Sequence, residues 1–152
     1  MAGRAASVFD PYELLGTLQS RNVAFVVIGA FARVVRGTRE LTDGIDIAPA
    51  MREENLIRLE AALADLETRA GELKLVPEPA GTGGYDDLRR RADREPLGRG
   101  LRPRIASTDD LARMLGALHT DQDEERLLRL RRLMNLERKL TRELGRNRGF
   151  ER

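Results

Sequence analysis

Val23–Pro49 reads VAFVVIGAFARVVRGTRELTDGIDIAP, and this stretch decides the fold. Val23–Ile28 is an unbroken apolar run, mostly β-branched, which predicts a buried strand. Gly29 ends it, Phe31–Val35 predicts a short helix, and Gly37 stops that helix. Ile45–Ala48 predicts a second strand in which Ile45 and Ile47 alternate with Asp46, so the carboxylate faces away from the isoleucines.

The flanks extend the pattern. Asp10-Pro11-Tyr12-Glu13 opens a helix, with Asp10 as cap, Pro11 in the first turn and Leu14, Leu15 and Leu18 on its apolar face. Glu53–Leu66 predicts a helix with a stripe of Leu56, Leu59, Leu63 and Leu66. Glu72–Val76 is a third strand, Gly81–Gly84 a turn, and Tyr85–Arg91 a short polar helix. Leu101–Ile105 reads as a strand confined to an edge by Pro103. Ser107 or Thr108 caps a helix through Leu118. The last helix spans Asp121 to about Leu144, with Leu127, Leu130, Leu133, Leu140 and Leu144 facing inward. The expected architecture is α/β (α+β): a small mixed sheet flanked by helices, with a helical C-terminal region.

Composition narrows the chemistry. The 152 residues suit one domain with a modest core, and no apolar run approaches the ~20 residues that span a bilayer. Residues 1–10, MAGRAASVFD, lack the apolar block of an export signal, so a cytoplasmic protein is expected. The absence of cysteine excludes disulfides and thiolate metal sites. The single histidine, His119, excludes a histidine metal cluster and reads as a helix-end or surface residue. Charge is uneven: residues 1–85 carry 9 basic and 12 acidic side chains, net −3, and residues 86–152 carry 18 and 13, net +5. Arginine supplies nearly all the positive charge. It suits phosphate contact, although arginine-favouring base composition explains the same bias.

The chemistry-bearing residues follow the first strand. A glycine turn after a buried strand presents backbone amides at low steric cost, as a phosphate site needs. Carboxylates at i and i+2 of the next strand share one face and can share Mg²⁺. Gly29-Ala30, Gly37-Thr38-Arg39 and Thr42-Asp43-Gly44-Ile45-Asp46 stand in that order here. This segment resembles the minimal nucleotidyltransferases found as toxins in bacterial toxin–antitoxin pairs and related abortive-infection proteins. Those proteins show a strand ending Gly-Gly, then Gly-Ser or Gly-Thr, an arginine, and Thr-x-Asp-x-Asp. The likeness covers roughly residues 10–135, including ELKLVPEPAGTGGYDDLRRRA and IASTDDLARMLGALHTDQDEERLLRLRRL.

The resemblance implies a single nucleotidyltransferase-like domain over 1–144, with a loose tail over 145–152. It implies Mg²⁺ and a nucleoside triphosphate as cofactors of an active member. Gly29, Gly37, Thr38, Arg39 and Thr42 would then hold nucleotide, and Asp46 with Asp123 would be what remains of the catalytic and metal set. The departures fall on that set. Gly44 stands at the first metal carboxylate, Lys74 at the third, and Leu115 where a nucleotide-contacting lysine is usual. The segment between Leu66 and Gly71 is also shortened. A lysine at ~4 Å opposes a divalent ion by on the order of 8 kcal/mol at an effective dielectric of ~20. Three such changes read as drift to a non-catalytic role rather than one inactivating exchange at Gly44. The expectation is a pseudo-enzyme without cofactor that binds nucleotide, RNA or a protein partner. The alternative is an active toxin that transfers a nucleotide to tRNA or protein through an atypical site.

Three further expectations concern contacts. Asp46 and Lys74 should face one cleft and pair in place of a metal. Gly81–Gly84 reads as an ordinary turn, not a phosphate loop, because no Lys-Ser/Thr follows it. Leu136, Leu140 and Leu144 extend past the resembling segment, so the 121–144 helix should meet a second copy or a partner protein.

Overall fold

A computed structural model describes residues 9–66 and 71–150, with side chains through Leu144. The shortened segment before Gly71 and the last two residues of the expected tail therefore lie outside the described residues.

Asp10 accepts a hydrogen bond from the Glu13 amide at 3.1 Å and opens α1, Pro11–Ser20, whose Leu14, Leu15 and Leu18 are buried. β1 is Phe25–Ile28, buried at every position. α2, Gly29–Arg36, begins directly at the glycine, two residues earlier than the pattern suggests, and Gly37 ends it at φ +122°. β2 is Gly44–Pro49 and α3 is Glu53–Asp65. β3 is Glu72–Leu75, and α4, Tyr85–Leu88, is a single turn with both ends buried. Next come β4 (Asp93–Arg94), β5 (Arg104–Ile105) and α5 (Thr108–Gly116), capped by the Ser107 hydroxyl. α6 runs Asp121–Phe150.

The five strands form one mixed sheet in the order β3-β2-β1-β5-β4. β1 is antiparallel to β2 and parallel to β5, β2 is parallel to β3, and β4 is antiparallel to β5. The fold is thus the expected mixed α/β arrangement with a helical C-terminal region. α1 packs on α3 and β2, while α2 packs on β1, β2 and α5, and α5 packs on α6. No helix among the described residues is long and apolar enough to cross a membrane.

Three elements differ from the sequence reading. The segment before Ala106 is not an edge: β5 lies between β1 and β4, and the two-residue β4 carries no pattern of its own. Pro103 is accommodated because it precedes the paired residues and only its carbonyl is used, accepting from the Glu95 amide at 3.0 Å. On α3 the buried face is Asn55, Leu59 and Ala62, and Leu63 is exposed. Asn55 turns the helix: its amide group bonds both the N–H and C=O of Ala24 and the C=O of Ala50, which satisfies three backbone groups at a buried strand end. On α6, Leu127 and Leu130 are buried, but Leu140 and Leu144 are exposed rather than inward, and the helical backbone continues to Phe150. The body of the domain ends before the helix does.

Candidate functional site

Asp46 lies on β2 between buried Ile45 and Ile47, so pleating turns its carboxylate to the opposite face. It is in register with Ile28 on β1 and with Lys74 on β3. The floor of the site is Gly29, the first residue of α2, at φ +72°. A Cβ there would stand 2.6 Å from Asp46 Oδ2, so glycine is required by both backbone and contact. No side chain caps the first turn of α2, and the Asp46 carboxylate lies against that turn, where its charge complements the helix dipole.

Asp46, Lys74, Gly29 and Arg33 line a cleft of about 180 Å³ whose other wall is apolar, from Val76, Leu111, Met114 and Leu115. Three sequence-predicted positions, 46, 74 and 115, therefore meet in one place. The expected ion pair is not made: Lys74 does not come within 4.0 Å of the Asp46 oxygens. Lys74 sits on the exposed edge strand, where its ammonium keeps its hydration. Burial pushes the Asp46 carboxyl above the ordinary aspartate range, against the opposing charges of Lys74 and Arg33.

The other predicted residues are committed elsewhere. The amides of Gly37 and Thr38 bond back to Arg33 and Val34 carbonyls and close the C-terminus of α2. The Thr38 hydroxyl donates to Glu40 at 2.8 Å, and the Thr42 hydroxyl to the Gly44 carbonyl at 2.8 Å. Gly37, Thr38 and Arg39 border a separate shallow pocket of about 370 Å³ with Arg129, Arg132 and Leu133 of α6. Asp123 is buried in the first turn of α6, where it exchanges hydrogen bonds with Thr120 and pairs with Arg126 at 3.2 Å. The Thr120 hydroxyl thereby caps the start of α6 by accepting from the Asp123 amide. The Gly81–Gly84 segment is a turn whose Gly83 and Gly84 amides are taken by Asp87 and Thr82. His119 is exposed between α5 and α6 at φ +57°.

Two buried charge clusters carried no sequence signal. Arg33 and Glu40, whose side chains are 7% and 8% exposed, form a two-pronged pair at 2.8 and 3.0 Å behind the cleft. Arg126 approaches Glu40 at 3.6 Å. Burial raises the Glu40 carboxyl, but the Arg33 and Thr38 hydrogen bonds and both guanidinium charges hold it below the ordinary glutamate range. Asp110 is buried and held by Arg91 at 2.9 Å and Arg113 at 3.1 Å. Asp110–Arg113 is an i,i+3 helix pair, whereas Arg33–Glu40 and Arg91–Asp110 follow no spacing rule and are brought together only by the fold.

The donor set does not fit Mg²⁺ with a nucleoside triphosphate. Asp46 is the one carboxylate of the cleft lining, and Lys74 in the same lining sets a positive charge against a divalent ion. Among the described residues no group of three or more His, Cys, Asp or Glu side chains is placed to hold a metal ion. Position 44 excludes a second carboxylate: a Cβ built there would stand 2.5 Å from the Glu72 carbonyl oxygen. The β3 backbone has closed over the place where an aspartate side chain would begin. Comparison with models of protein families finds no match, and comparison with curated proteins finds none either.

Proposed function

We propose that this chain is a nucleotidyltransferase-like protein of toxin–antitoxin or defence type that is impaired in metal-dependent transfer and acts in the cytoplasm by binding. The observation that carries the reading is the packing at Gly44, which leaves Asp46 alone beside Lys74. A partly buried carboxylate without a second metal ligand serves recognition better than phosphoryl chemistry.

Nucleotide binding is supported by Arg39, Arg129 and Arg132 around one pocket, since guanidinium groups suit phosphate. The amides of Gly37 and Thr38 are spent on the helix end, so affinity is expected to be weak and indifferent to Mg²⁺. A macromolecular partner is supported by α6, whose Leu136, Leu140 and Leu144 are 54%, 50% and 62% exposed. A second copy or a partner protein fits that face better than RNA, because it is apolar.

Calorimetric titration with each nucleoside triphosphate, with and without Mg²⁺, tests the cleft. Tight binding that a chelator abolishes overturns the assignment. Incubation with labelled triphosphates, Mg²⁺ and tRNA tests the alternative. Label transfer by the natural chain and not by Asp46→Asn would establish an active transferase with an atypical site.

A further inference from the structure

At the other end of β1 from the Asp46 cleft, a second pocket of about 210 Å³ opens beside Val23, Ala24 and Phe25. Arg94, Arg102 and Arg104 line it with Gln19 and Asn22, and no carboxylate residue is in the lining. Arg94 and Arg104 are cross-strand partners in the β4–β5 register. Like charges placed directly opposite on paired strands destabilise a sheet. Arg102 adds a third positive group to the same opening.

Among the described residues nine arginines have a carboxylate oxygen within 4.0 Å, and none of these three does. The three are nevertheless held in place. The Gln19 side chain donates to the Gly100 carbonyl and accepts from the Arg102 amide, at 3.1 and 3.2 Å, which fixes the loop that carries Arg102. Arg94 donates to the Arg102 carbonyl at 3.1 Å. Three guanidinium groups without a carboxylate partner share one concavity, and two of them also donate to neutral oxygens, Arg94 to the Arg102 carbonyl and Arg104 to the Tyr85 hydroxyl at 3.5 Å, which makes a site for an anion.

We propose that Arg94, Arg102 and Arg104 form a phosphate-binding pocket at the end of the sheet opposite the Asp46 cleft. Three guanidinium forks offer more donors than a planar carboxylate needs, which one fork satisfies, and suit a tetrahedral oxyanion. The phosphate belongs to a nucleic-acid strand or to a small phosphorylated molecule, and the chemistry of the pocket is the same for both. The proposal uses none of the cleft residues and stands apart from their role.

Fluorescence anisotropy with a labelled short single-stranded RNA, from roughly 50 to 200 mM salt, supplies the strand arm. Thermal melting with inorganic phosphate supplies the small-molecule arm. Arg94→Gln/Arg102→Gln should weaken RNA binding at least about tenfold and lower the salt slope by ~0.7 per lost contact. Arg58→Gln/Arg131→Gln removes the same charge at exposed positions elsewhere and should change affinity less than about twofold. Arg102→Gln alone, at an exposed side chain, keeps the test valid if the double variant melts. Protection by phosphate without RNA binding, lost in the variant, assigns the pocket to a small phosphate. Failure of both ligands to bind, or an equal loss in the control variant, overturns the proposal.

Discussion

Burial raises the carboxyls of both Glu40 and Asp46, but only at Glu40 do hydrogen bonds and guanidinium charges outweigh it, so the two shift in opposite directions. Glu40 is hydrogen-bonded by Arg33 and Thr38, so its folded-state proton affinity falls below the ordinary value of 4.5. A lowered carboxyl stabilises the fold above the unfolded value, and that contribution is lost as pH falls through the folded one. Glu40→Gln should cost about 3 kcal/mol at neutral pH, because it leaves Arg33 buried without its counter-charge. Urea unfolding should show it, with the difference shrinking in acid. Asp46 runs the other way. Its folded value is raised above the ordinary 3.8, so its charge opposes folding at neutral pH and ceases to do so as it protonates. Asp46→Asn should therefore raise the thermal midpoint at neutral pH, and the gain should vanish near pH 3.8 and below. A loss of stability at neutral pH would mean that the carboxylate holds a partner the cleft does not reveal.

At the scale of elements, β2 and β3 decide whether transfer chemistry is recoverable. Restoring an aspartate at position 44 does not rebuild a metal site while the Glu72 carbonyl stands 2.5 Å from where its Cβ must go. Gly44→Ala should cost about 1–3 kcal/mol as an overpacked contact with backbone, which cannot swing aside. Hydrogen exchange should show faster exchange in β3 than in β1 for that variant. Equal protection in both strands would show that β3 accommodates the methyl group.

For the molecule as a whole, the question is what α6 does beyond the body it packs on. Leu127 and Leu130 are buried, whereas Leu136, Leu140 and Leu144 lie along one exposed stripe. Replacing those three leucines by glutamine should leave the unfolding free energy within about 0.5 kcal/mol, as expected of exposed positions. Light scattering should find the full chain associated, and the triple variant and a truncation after Leu133 monomeric. A monomer throughout would leave the extension without the role of a contact surface.

Periodicity and punctuation in the chain suffice for most of the fold. An apolar run ended by glycine, alternation about Asp46, the Asp10 cap and the leucine spacing of the long helix are local signals, and each element appears near its expected place. They also suffice to turn Asp46 away from Ile45 and Ile47, because strand alternation is geometric. What they do not contain is pairing. The two-residue β4 and β5 are too short to carry a period, and only the sheet decides that β5 is internal. Asn55 breaks the leucine stripe because it answers to the backbone groups of Ala24 and Ala50, which lie on other elements. Arg33–Glu40, Arg91–Asp110 and the Arg94–Arg104 pair are likewise set by which strands and helices become neighbours. Charge is long-ranged in space and carries no periodicity along the chain. The residue types were legible from sequence, and their partners were decided by tertiary structure.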